Sequence, residues 1–168
     1  MKRYCLYLFI LIGISCSAEL KAQKNGTVYK GNDPAVRYTG RTLVSPDGSV
    51  AFDWVGTYLE TRFTGGKLSV KVSETGTSYY NVFVDGKLHK VVKVCGTDTL
   101  IHLVSGIDKR IHSLKIQKRS EGEFGKTTVH QFVLSGSGRL AKEPAVRTRH
   151  IEFIGNSLTC GYGTDGKH

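Results

Sequence analysis

The sequence is poor in several things at once. Its 168 residues include one methionine, one tryptophan and three prolines, and acidic side chains are scarce: 14 Asp and Glu against 24 Lys and Arg. No apolar run approaches the roughly 20 residues that a bilayer-spanning helix needs. The longest, Leu6–Ile14, sits behind Lys2-Arg3 and before the smaller, more polar Ser15–Ala22. That order of basic start, short apolar core and small-residue exit reads as an export signal peptide over residues 1–22, not as a transmembrane segment. Cutting after Ala22 leaves Gln23 first, and a cut after Ala18 is also open. Cys16 follows Gly-Ile-Ser as a lipidated cysteine would, but Gly13 stands where such signals carry leucine. The expectation is therefore soluble export, periplasmic or secreted, with a lipoprotein as the alternative.

Cysteine is scarce too. Of four, Cys95 and Cys160 lie outside the signal, too few for a disulfide framework even in an oxidising compartment. Both read as small buried packers. The histidines at 89, 102, 112, 130, 150 and 168 show no ligand spacing and no paired cysteines, so a metal site is not expected. Removing Lys2, Arg3 and Lys21 against Glu19 takes the net charge from +10 to +8. The cations are spread along the chain rather than clustered with aromatics, which argues against a nucleic-acid partner. They read as solvated strand faces, with attraction to acidic sugars of a plant polysaccharide as a secondary reading.

Helical periodicity is missing over any dozen residues. Short alternating runs separated by turn residues take its place. Residues 23–35 are a polar leader at the domain edge. Strands are expected at Val36–Arg41, Val50–Trp54, Tyr58–Phe63, Leu68–Val72, Tyr80–Val84, Lys87–Val94, Leu100–Val104, Ile111–Gln117 and Thr128–Leu134. Ser45-Pro-Asp-Gly48 and Gly65-Gly66 are turns. Asp85-Gly86 between two alternating runs is a strong hairpin signal. The pattern makes residues 36–135 an all-β sandwich or barrel. The small, polar stretch 136–148, with Pro144, reads as a linker.

After it the character changes. Ile151–Ile154 is a continuous apolar run, read as a buried strand, and it leads into Gly155-Asn156-Ser157. A serine just past a strand end, in a sharp turn, is where α/β hydrolytic folds place a nucleophile.

The string FIGNSLTCGYG resembles the first signature block of the SGNH, or GDSL-like, hydrolases, in the form found in carbohydrate esterase family 2, whose members carry acetyl-xylan esterase activity. The upstream runs FDWVGTYLETRFTGGKLSVKV and YYNVFVDGK are similar to that family's N-terminal sandwich. The resemblance covers about residues 36–168. It implies a jelly-roll β-sandwich followed, over 149–168, by the first strand and nucleophile turn of an incomplete α/β SGNH domain. Ser157 matches the nucleophile, and its backbone N–H matches one oxyanion donor. Gly155 gives the turn room, and Asn156 stands where many relatives have aspartate. The family's remaining oxyanion donors and its late general-base histidine have no counterpart here. His150 and His168 do not match that position. The expectation is an acetyl-ester hydrolase acting on acetylated polysaccharide or oligosaccharide without metal or organic cofactor. The sandwich would pack on its own SGNH domain in a longer parent, and the 168-residue chain alone would be inactive.

Trp54, Tyr58, Tyr79 and Tyr80 remain open to two readings. Trp54 and Tyr58 could contact sugar, since a ring offers an apolar face to a pyranose. Their place in alternating strands favours filling the core or an interdomain interface. Glu121 and Glu123 share a glycine-rich loop, but nothing sets them across a bond as a glycosidase needs. The competing class is a non-catalytic carbohydrate-binding module. A further reading has the sandwich only supporting the catalytic domain.

Overall fold

The computed structural model describes residues 26–142 and, as a separate stretch, 151–160. The residues read as a signal peptide, Cys16 among them, residues 143–148 of the expected linker, His150, and the chain after Cys160 lie outside the described residues.

Ten strands form one antiparallel, curled sheet: β1 (Thr27–Lys30), β2 (Arg37–Thr39), β3 (Leu43–Val44), β4 (Val50–Phe52), β5 (Tyr58–Thr64), β6 (Lys67–Val84), β7 (Lys87–Ser105), β8 (His112–Lys118), β9 (Thr127–Leu134) and β10 (Arg139–Ala141). The expected pairs Leu68–Val72 with Tyr80–Val84, and Lys87–Val94 with Leu100–Val104, are each one strand of 18 and 19 residues. Gly76 and Gly96 lie where the register between the two strands is irregular, between Val72 and Thr77. Bulges bend a ladder without ending it.

That bend closes the fold. Before it, β6 pairs with β9, which carries β1 and β4 on its other side; after it, β6 pairs with β8, which carries β5, and β5 carries β2 and β10. The long β6–β7 hairpin therefore belongs to two layers. Their inner faces alternate apolar as the sequence does: Leu59 and Phe63 on β5, Leu68, Val70 and Val72 on β6, Leu114 and Ile116 on β8, and Val129, Phe132 and Leu134 on β9 are all buried. The hairpin tip turns as Asp-Gly demands, with φ of 50° at Asp85 and 75° at Gly86, between the paired Val84 and Lys87.

The structure departs from the sequence reading in further places. Thr27–Lys30, read as leader, pairs with β9. Arg139–Ala141, inside the stretch read as linker, pairs with β5 and buries Leu140. Three residues are too few for alternation to be visible in sequence. Cys95, read as a buried packer, is exposed and free, because Val94 takes the inward position beside it. Ile151–Ile154, read as a buried strand, has no regular structure, and Phe153 and Ile154 are 82% and 91% exposed. A strand needs a neighbour for its N–H and C=O groups, and no strand among the described residues pairs with it.

Candidate functional site

Ser157 opens a one-turn helix, Ser157–Cys160. Asn156 sets it up: its side-chain oxygen accepts from the Leu158 N–H at 3.0 Å, and its carbonyl accepts from the Thr159 N–H at 3.0 Å. This is the capping role for which asparagine is favoured. A methyl group on Gly155 would fall 2.1 Å from the Thr159 hydroxyl, so the turn closes because residue 155 has no side chain. Gly155, Asn156 and Ser157 are all exposed. Gly155 and Asn156 thus shape the turn that presents Ser157.

The expected sugar-contact residues separate. Trp54 stands in the β4–β5 loop, 59% exposed, with the Arg41 guanidinium 5.6 Å from its ring centroid. Thr39, Gly40, Val55, Gly56 and Thr57 complete a shallow trough around it. Trp54 therefore does not fill the core, nor does Tyr79, 45% exposed. Tyr58 points outward from β5, half-buried under the Lys115 ammonium, which lies 4.0 Å from its ring centroid. Tyr80 alone of the four is in the core. Burial raises its phenol pKa, and its hydroxyl meets Thr127. Glu121 lies beside the 3₁₀ turn Gly122–Phe124 and Glu123 within it.

Three polar clusters were not anticipated. At the bend, Tyr80 donates to Thr127, which donates to the buried Glu74 carboxylate at 2.5 Å, while Lys118, 1% exposed, donates to Ser78 at 3.0 Å and to the Gly125 carbonyl at 2.6 Å. Desolvation lowers the Lys118 pKa, and the Glu74 charge opposes that shift. At the hairpin tip, His112 bridges Asp85 and Asp108. On the outside of β6 and β9, Ser73 hydrogen-bonds His130 at 2.8 Å, and Asp98 stands 3.7 Å from the same ring nitrogen. Serine and carboxylate share Nε2 there, whereas a nucleophilic triad needs them on opposite nitrogens. The signal for all three was a polar residue at an inward or cross-strand position, which only register reveals. Among the described residues no His, Cys, Asp and Glu group could hold a metal ion, and no helix is long and apolar enough to cross a membrane.

Comparison with known proteins places this geometry. A family model described as carbohydrate esterase 2 N-terminal matches residues 38–144. The chain belongs to that family. It is 34% identical over 135 residues to the cellulase/esterase CelE of Acetivibrio thermocellus, and 29% identical over 135 residues to an acetylxylan esterase / glucomannan deacetylase of Cellvibrio japonicus. These matches cover 80% of this chain but only 16% and 37% of those relatives. A family two carbohydrate esterase from Cellvibrio japonicus superposes with a TM-score of 0.76 at 26% identity, over 85% of this chain and 43% of that one. One from Clostridium thermocellum, in complex with cellohexaose, gives 0.71 at 34% identity, over 78% and 40%. The carbohydrate-binding module CBM36, 14% identical with a TM-score of 0.50, shares the fold.

Proposed function

We propose that this chain is the N-terminal part of an exported carbohydrate esterase that removes acetyl groups from plant polysaccharide, xylan or a similar polymer. The sandwich is an accessory domain, and Ser157 is the nucleophile of the SGNH domain that begins at about residue 149. The observation that carries this reading is the order of features. The match to the carbohydrate esterase 2 N-terminal region ends at residue 144, and FIGNSLTCGYG begins at Phe153. The acetylxylan esterase names of two relatives support the substrate class.

In the reaction, the Ser157 hydroxyl attacks the acetyl carbonyl and gives its proton to a histidine supplied by the rest of the parent. Oxyanion donors, the Ser157 N–H among them, hold the tetrahedral intermediate. The histidine returns the proton to the departing sugar oxygen, leaving an acetyl-enzyme that water hydrolyses to acetate. Without that base a serine hydroxyl is a poor nucleophile, so the 168-residue chain is expected to be inactive.

The test compares acetate release from acetylated xylan by the full-length parent, its Ser157→Ala variant and the 168-residue chain. Activity in the first alone supports the reading. A Ser157→Ala parent that stays active sinks it. The exposed Trp54 favours a second reading, a carbohydrate-binding module. Affinity electrophoresis on xylan and mannan, with retardation abolished by Trp54→Ala, would distinguish it.

A further inference from the structure

Register sorts the charges of the two layers. Residues directly opposite on neighbouring strands share a face. On the outside of the β2–β5–β8–β6 layer, one row therefore runs Arg37, Glu60, Lys115, Phe83, and the next runs Thr39, Tyr58, Gln117, Asn81, Val91. Arg62, opposite Ser113, Arg139, opposite Thr64, and Lys93, opposite Tyr79, point the same way. Glu60 is the one carboxylate among the outward positions of this layer's strands, and Arg37 holds it at 2.7 Å. On the other layer's outer face, Asp98 stands 3.4 Å from Lys71 and 3.7 Å from His130, and Lys30, opposite Gln131, shares the row of Lys71. Beyond the Arg37–Glu60 pair, the outer face of the β2–β5–β8–β6 layer thus carries Arg62, Lys115, Arg139 and Lys93 with no carboxylate at another outward position of its strands.

That face is not only basic. Tyr58, Phe83 and Tyr79 place rings among the cations, and Gln117 and Asn81 place amides between the rings. Neighbouring strands lie about 4.8 Å apart and rise about 3.3 Å per residue, so Tyr58 and Phe83, on strands either side of β8 and one row apart, are separated by two such spacings across the sheet and a two-residue step along it. Rings take the C–H face of a sugar, amides its hydroxyls, and lysine and arginine its carboxylates.

We propose that the outer face of the β2–β5–β8–β6 layer binds an acidic polysaccharide, with Lys115, Arg62 and Lys93 engaging uronate carboxylates and Tyr58 and Phe83 supporting the chain between them. The proposal rests on the carbohydrate-esterase reading above, which selects a glycan among polyanions. Its consequence is that the sandwich recruits uronate-substituted xylan independently of Ser157. Binding through exposed charges is weak, fast and screened by salt.

The test is affinity electrophoresis of the 168-residue chain through glucuronate-substituted xylan and through the same xylan with its carboxylates reduced to alcohols. Retardation should be about tenfold weaker on the reduced polymer, and should fade as salt shortens the Debye length toward ~3 Å at about 1 M. A Lys115→Glu/Arg62→Glu variant should lose it, and Lys71→Glu on the opposite layer should keep it. Lys93→Glu, at an exposed position, should weaken it severalfold and serves if the double variant fails to fold. Equal retardation on both polymers, none on either, or tighter binding to duplex DNA than to acidic xylan would overturn the proposal. A parent without esterase activity whose N-terminal chain still prefers the acidic polymer overturns the esterase reading alone. An active parent whose chain ignores carboxylates overturns this one alone.

Discussion

The imidazole of His112 meets the carboxylate of Asp85 at 2.7 Å, Nδ1 to Oδ2, and so ties the start of β8 to the tip of the β6–β7 hairpin. Its other nitrogen reaches Asp108 at 2.9 Å, and Asp108 also takes the Arg110 backbone N–H and guanidinium. Asp85 accepts the Ser113 N–H as well. His112 is 4% exposed and lies on the Phe63 ring, 5.8 Å between centroids. An imidazole with carboxylates on both nitrogens is held as the cation.

A pH dependence follows from this clamp. The Asp85 hydrogen bond raises the His112 pKa above its ordinary value, burial opposes the shift, and Asp108 adds to it. A raised folded pKa contributes stability that is complete below about 6.5 and is lost as pH rises through the folded value. Asp85 and Asp108 are lowered, so their share is present above about 3.9 and lost as pH falls through their folded values. The clamp therefore stabilises most in the mildly acidic range. His112→Gln should cost about 1–2 kcal/mol there, the lower end of charge-assisted bonds because both carboxylates are half exposed. Urea midpoints should converge with wild type as pH rises above the folded His112 pKa. An unchanged gap at alkaline pH would refute the clamp.

Lys118 is a structural cation, not a surface one. Replacing it with methionine removes the donor that Lys118 gives the Ser78 hydroxyl and the Gly125 carbonyl, and removes a positive charge that interacts with the buried Glu74. Unmade buried bonds of this kind cost about 2–4 kcal/mol. Lys115→Met, outward on the same strand, should stay within about 0.5 kcal/mol of wild type. Equal denaturation midpoints for the two variants would show that the bend does not depend on Lys118.

The sandwich was legible because its cause is written locally. Alternation at Tyr58–Phe63 and Thr128–Leu134 names the buried face directly, and Asp85-Gly86 can hardly make anything but a two-residue turn. What joins the layers was not legible. Lys118 reads as one more strand lysine until β8 is paired with β6 and its side chain is found inside. Trp54 reads as core because it closes the expected strand Val50–Trp54, yet the strand ends at Phe52 and Trp54 falls just past it, where alternation no longer aims a side chain. The Gly155–Ser157 turn could be named from its string. The burial expected of Ile151–Ile154 could not, since that depends on strands far from it in sequence.

Trp54 and Phe132 make the contrast measurable. Phe132 is fully buried between the layers, and Phe132→Ala should cost about 3–5 kcal/mol through lost burial and the cavity left behind. Trp54→Ala removes a larger ring but little buried area, and at most a cation–π contact with Arg41 worth about 0.5–1 kcal/mol at an exposed site. Thermal melts should separate the pair clearly. A Trp54→Ala variant as unstable as Phe132→Ala would mean that the loop tryptophan belongs to the core.

Gly76 gives the sharpest steric test of the bend. A methyl group there would stand 2.2 Å from the backbone carbonyl oxygen of Phe124, which cannot swing aside as a side chain would. Gly76→Ala must therefore move either β6 or the 3₁₀ turn, at a cost of about 1–3 kcal/mol or more. Gly86 is the control: its φ is 75°, and an added methyl group meets nothing within 4 Å. Gly86→Ala should lose only about 1–2 kcal/mol, the cost of left-handed backbone. The two also differ in where the damage falls. Gly76→Ala should speed hydrogen exchange at Thr75 and Lys126, whose backbone groups bond across the bend. Gly86→Ala should disturb only the hairpin tip around Asp85 and His112. Uniform loss of protection in both variants would mean that the bend and the tip open as one unit.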